Sequence, residues 1–155
     1  MNKKANLRYQ ETEISLILAL LRLLSQKELS RITIQEICRI SQIHRTSFYL
    51  HFRDLHDLME KADLYLMIQY APTREQFKNP EERFSAFFDF IKEYRSFYSA
   101  YLNARHELHW LEGEPGYHRA FFQAGLTALT REWLKAGCPQ TGKELAGILA
   151  EECRL

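Results

Sequence analysis

The run RTSFYLHF, Arg45 to Phe52, sets an arginine, a threonine, a serine, a tyrosine and a histidine among two phenylalanines and a leucine. Guanidinium, hydroxyl and imidazole groups are the side chains that read base edges and hold phosphates. On a helix, Phe48 and Phe52 stand four apart and share one face. Arg45, Thr46, Tyr49 and, near the far end, His51 or Arg53 then point away from it. Such a segment buries aromatics on one side and offers hydrogen-bonding groups on the other. The chemistry it suggests is recognition of a polyanion.

Bond-making chemistry finds little support. There is no phosphate-cradling glycine loop, no nucleophile elbow and no pair of acids in a cleft pattern, so no catalytic residue and no cofactor is expected. RHELH, Arg105–His109, invites a metal reading through His106, Glu107 and His109. Its histidines stand three apart with no fixed third ligand, unlike HExxH, and no metal site is expected.

The elements that must position the run are helical throughout, because no strand pattern appears. A first helix, about Gln10 to Gln26, carries Ile14, Ile17, Leu18, Leu21 and Leu24 on one face. Thr33-Ile34-Gln35-Glu36 is a capping box that opens a second. A third begins near His44 or Arg45 and ends by Arg53. Asp54 and Asp57 open a fourth, with Leu55, Leu58, Met59, Ala62 and Leu66 at helical spacing; Pro72 ends it by Ala71. Asn79-Pro80-Glu81-Glu82 starts a long central helix with aromatic residues as far as Tyr101. EGEPG, Glu112–Gly116, is a loop. A helix with Phe122, Leu126, Leu129 and Trp133 follows, closed by Gly137 and Pro139. Thr141 and Glu144 cap the last, which forms an antiparallel hairpin with the one before it. The fold class is all-α.

Composition agrees. With 155 residues, 46% apolar and 26% charged, the chain is globular, not disordered. The net charge of +1 hides an asymmetry: residues 1–53 hold nine Lys/Arg against four Asp/Glu, and the rest twelve against sixteen. A basic head on an acidic body suggests that the head meets the polyanion. Cys38, Cys138 and Cys153 form no CxxC pair, which fits free thiols in a reducing cytoplasm. MNKK followed by ISLILALLRLL imitates a secretory signal, but Arg22 and the nearby glutamates break the pattern and the run is too short to span a bilayer. It reads as a buried helix, and no membrane partner is expected.

Three helices in a basic head are a helix-turn-helix arrangement, in which the second helix of the motif enters the major groove. RITIQEICRISQIHRTSFYLHFRDLHDLM resembles the DNA-binding head of the TetR family of bacterial transcriptional regulators, over roughly residues 7–62. The tail TREWLKAGCPQTGKELAGIL resembles, more loosely, the C-terminal hairpin of a Gram-positive subgroup. The resemblance implies a TetR-like fold: a helix-turn-helix DNA-binding domain over 1–53 and a helical dimerisation and effector-binding domain over 54–155. Thr33 would bond a phosphate, and Arg45 and Thr46 would reach base edges. His44, at the start of the recognition helix, and Arg53, near its end, belong to the same interface. Ser47 and Tyr49 would hold the backbone, with His51 near it. The chain departs from the family in two places. Gln42 and His44 stand where a small turn residue, commonly glycine, and a serine cap are usual, and Leu55 stands where a phosphate-directed lysine is common.

Helix-turn-helix proteins read half-sites about one turn, ~34–36 Å, apart. A homodimer on a palindromic operator in double-stranded DNA is therefore expected. Phe122, Leu126, Leu129, Trp133, Leu145 and Leu149 are the expected interface. Tyr65, Phe87, Phe88, Tyr94, Tyr98 and Trp110 are the expected lining of a pocket for a small-molecule effector. The function expected is a repressor released by that effector. The alternatives are a co-regulator that acts through a protein partner without binding DNA, and a purely structural dimerisation module.

Overall fold

The computed structural model describes residues 3–77, 79–104, 106–108 and 116–152, and their side chains except for 3–6, 72–75, 117–119 and 152. Among the described residues the chain is all helical, with eight α-helices, one 3₁₀ turn and no strand. They are α1 (Lys3–Leu24), α2 (Ile34–Ser41), α3 (Arg45–His51), α4 (Leu55–Glu75), α5 (Pro80–Glu93), α6 (Arg95–Asn103), α7 (Tyr117–Lys135) and α8 (Gly142–Glu152). The 3₁₀ turn spans Leu29–Arg31. Two compact units result, residues 1–62 and 63–155, and their boundary falls inside α4.

In the first unit α1 packs on α2 and α2 on α3. Leu16, Ile17, Leu20 and Leu23 of α1 are sealed in its core with Ile37, Phe48, Phe52, Leu58 and Met59. Each such side chain contributes about 1.5–3 kcal/mol on burial. The caps fall where the residue types place them. The Glu36 N–H donates to Thr33 Oγ1 (3.3 Å) and the Thr33 N–H to Glu36 Oε2 (3.2 Å). The Asp57 N–H donates to Asp54 Oδ1 at 2.9 Å, which opens α4.

In the second unit α5 packs chiefly on α8, and α6 on α7. The chain breaks at Tyr94 (φ −99°, ψ 27°), where one long helix was expected through Tyr101. Neither glycine nor proline marks the break. It lets α5 and α6 meet different partners while Phe87, Phe88, Ile91, Phe97, Tyr98 and Tyr101 all stay buried. Nor does α4 stop at Ala71: it runs through Pro72 to Glu75. A proline so near the end removes a single backbone hydrogen bond, and only one turn depends on it. The first helix also starts earlier than expected, at Lys3.

Gly142 explains how closely α8 approaches α5. A Cβ there would lie 2.5 Å from Asp89 Oδ1 and 2.5 Å from the Ser85 carbonyl oxygen, so only glycine fits without movement. The Thr141 N–H donates to Glu144 Oε2 at 2.8 Å and the Glu144 N–H to Thr141 Oγ1 at 3.2 Å, which completes the expected cap of α8. Cys38 and Cys138 are free and buried, and Cys153 lies outside the described residues. Among the described residues no helix is long and apolar enough to cross a membrane.

Candidate nucleic-acid interface

The site is built on α3 and the turn before it. The Gln42 and Ile43 N–H groups both return to the Cys38 carbonyl, the latter at 3.0 Å, and Gln42 is left-handed (φ 58°, ψ 28°). That conformation suits glycine; a residue with a Cβ holds it at a cost of about 1–2 kcal/mol. His44 is the N-cap of α3, and its side chain makes no capping hydrogen bond. The first of the two departures, at Gln42 and His44, therefore has a structural expression at this turn.

Beyond the turn α3 divides cleanly. Phe48 and Phe52 are buried, with ring centroids 5.6 Å apart. Arg45, Thr46, Tyr49, Leu50 and Arg53 are exposed, Ser47 is half-buried, and His44 is exposed at the entrance. On the outer face Arg45 Nη2 donates to the Tyr49 hydroxyl at 3.2 Å, and its guanidinium carbon sits 5.7 Å from the Tyr49 ring centroid. An arginine carries its charge throughout the working pH range, and the hydrogen bond to Tyr49 pushes the Arg45 guanidinium further above its ordinary range. The pair pre-arranges a cation and an aromatic hydroxyl one helical turn apart.

Other predicted residues fall differently. Thr33 is exposed at the start of α2, but its hydroxyl lies 3.2 Å from Glu36 Oε2 as part of the cap. Lys27 Nζ donates to Glu36 Oε1 at 2.6 Å, and this bond is the main reason the Glu36 carboxyl is held below its usual range. Arg53 is exposed; its N–H donates to Asp57 Oδ2 at 3.0 Å, which lowers the Asp57 carboxyl. His51 does not face outward with them. Its side chain is only 7% exposed and is turned toward α1. Tyr9 covers its ring at a centroid distance of 3.9 Å.

Leu50 was not anticipated. It is 77% exposed in the middle of the outer row, where an apolar group can meet a thymine methyl. Its spacing from Thr46 and Arg53 was the available signal, outweighed by the apolar character that leucine shares with core residues.

In the second unit Leu126, Trp133, Leu145 and Leu149 are buried in the chain's own core, while Phe122 and Leu129 are half-buried. On α7 Phe121 is 84% exposed beside Ala124, Gly125 and Ala128, and on α8 Ile148 is exposed. Of the expected pocket residues, Phe87, Phe88 and Tyr98 are fully buried, Tyr65 and Tyr94 are half-buried, and Trp110 lies outside the described residues. Asp63 is buried beside Tyr98. Burial first, then the nearby charge of Asp63, holds the Tyr98 phenol well above its usual range. A depression of about 520 Å³ elsewhere in the unit has Asn79, Glu81, Glu82, Asp89 and Lys143 in its walls, together with the apolar Phe77 and Ala86. His106 of the RHELH run is buried and stacks on Tyr101 (4.3 Å, 10°), Glu107 is exposed, and His109 lies outside the described residues.

No family model matches the chain, and no curated protein matches it by sequence. Among solved structures it is similar to the dihydroxyacetone kinase operon activator DhaS. The TM-score is 0.57 at 14% identity, over 90% of this chain and 92% of that one. What is shared at that identity is the fold, which is all-α.

Proposed function

We propose that the protein is a DNA-binding transcriptional regulator that reads a palindromic operator as a homodimer in the cytoplasm. One observation carries the reading: α3 seals Phe48 and Phe52 inward and turns Arg45, Thr46, Tyr49 and Leu50 to solvent, directly after a tight turn from α2. Arg45 is the residue for a guanine edge, Leu50 for a thymine methyl, and Tyr49, Ser47, Thr33, His44 and Arg53 for the sugar-phosphate backbone. The fold shared with an operon activator supports the same class of function.

The dimer forms through the outward faces of α7 and α8, around Phe121 and Ile148, with the flanking buried residues supporting it from behind. The 1–53 segment carries DNA recognition and the 54–155 segment dimerisation and response. An effector enters at Tyr65 and Tyr94 and shifts the population away from the spacing that fits the operator. Occupancy of an operator obstructs transcription, so repression is the output we assign. The activator with the same fold makes a reporter assay the check on that sign.

A second reading rests on the departures at the turn. His44 makes no capping bond and Leu55 offers no cation, as in a head that has exchanged DNA for a protein partner. Selection of bound duplexes from a random pool separates the two. An enriched inverted repeat with half-sites one turn apart supports the regulator; no enrichment moves the protein-partner reading to the front.

A further inference from the structure

His51 ends the recognition helix, yet its side chain faces the protein. Its Nδ1 has no hydrogen-bond partner and lies 3.8 Å from Glu13 Oε1 on α1. Glu13 is itself only 14% exposed, and its other oxygen lies 3.9 Å from Lys61 Nζ on α4. Tyr9, one turn before Glu13, lays its ring over the imidazole at 3.9 Å, tilted by 35°. A carboxylate held this far from water keeps its attraction for a nearby donor. The three polar groups thus bridge α3, α1 and α4 at the one end of α3 that Phe48 does not anchor. Phe52 secures the inner side of the same turn.

We infer that His51 is a positioning residue: it acts inward, through Glu13 and Tyr9, to fix the angle at which α3 presents Arg45, Thr46 and Tyr49. The inference rests on the DNA-reading function proposed above and names how that site is held. A helix of seven residues has little stiffness of its own, so its direction is set by what grips its two ends. At the first end the grip is the turn closed on the Cys38 carbonyl. At the last it is His51. Its contribution reaches DNA as geometry, not as a phosphate contact.

The test compares His51→Ala, His51→Asn and His51→Gln in the full chain, on the operator fragment, over a range of salt. Loss of a phosphate contact lowers the slope of log affinity against log salt by about 0.9. A positioning residue lowers the affinity, by roughly tenfold for His51→Ala, and leaves the slope unchanged. His51→Asn puts an amide where Nδ1 stood and restores most of the affinity; His51→Gln, which mimics the other nitrogen, does not. A reduced slope, or equal rescue by both amides, overturns the inference. Urea unfolding of His51→Ala, Glu13→Ala and the double variant separates this from the DNA reading. Non-additive midpoints are required even if the wild type binds no operator, and additive midpoints overturn the inference on their own.

Discussion

The two units treat polar groups in opposite ways. Among the described residues the fully buried polar side chains, Asp63, His106, Thr127 and Thr130, all belong to the second unit. The first keeps an almost wholly apolar core and sets its hydroxyls and guanidinium groups at the surface of α3, with the nearly sealed side chain of His51 and its neighbour Glu13 as the exceptions. A unit that met a partner, as proposed for the first, would set its polar chemistry outward. One that houses polar groups internally must satisfy or tune each of them. The units also turn corners differently. The second uses Gly137 (φ 82°) followed by Cys138 (φ 56°), whereas the first forces Gln42 into the left-handed region with no glycine at all.

The largest expected effect breaks the first unit. Phe48 is fully buried and its ring meets those of both Tyr49 and Phe52, so Phe48→Ala should cost about 3–5 kcal/mol. Helicity followed in urea should show an early transition while the second unit persists. Next comes the second unit. Gly142→Ala drives a methyl into Asp89 and the Ser85 carbonyl and should cost about 1–3 kcal/mol, read as a lower midpoint for that unit alone.

Alkaline pH sharpens the contrast. The Tyr98 phenol is held well above its usual 10.0 by burial and Asp63. The folded state therefore keeps this proton more tightly than the unfolded chain. The stability it contributes is complete below pH ~10 and is lost as the pH rises toward the folded value. Tyr98→Phe should flatten this loss in an alkaline unfolding series. The smallest effect is a gain: Gln42→Gly relieves the left-handed strain and should stabilise the first unit by about 0.5–1 kcal/mol after the entropy of glycine is counted. Thermal unfolding of the single variant checks it.

What could be read from sequence was local. The caps at Thr33, Asn79 and Thr141 depend on groups three residues apart or fewer, so the residue types alone place them. The division of α3 was equally legible, because Phe48 and Phe52 share a face wherever that helix packs. The break at Tyr94 was not, since it answers to two packing partners far away in the chain. The direction of the His51 side chain was not legible for the same reason. Its position on α3 permits either direction, and Tyr9 and Glu13, some forty residues earlier, decide it. The face of α7 that carries Phe122 and Trp133 was correctly seen as apolar, but periodicity alone does not say whether such a face meets its own chain or another.

The most direct measurement is fluorescence anisotropy of the purified protein on a labelled duplex from its own upstream region, at two salt concentrations and with excess unrelated DNA. The wild type is run beside Arg45→Ala/Tyr49→Ala, whose side chains lie on the exposed face of α3. The account predicts saturable binding that survives the competitor and weakens with salt. In the double variant, affinity should fall about a hundredfold with the urea midpoint unchanged. Wild-type binding that the competitor abolishes, or a variant that binds as tightly as the wild type, would contradict it.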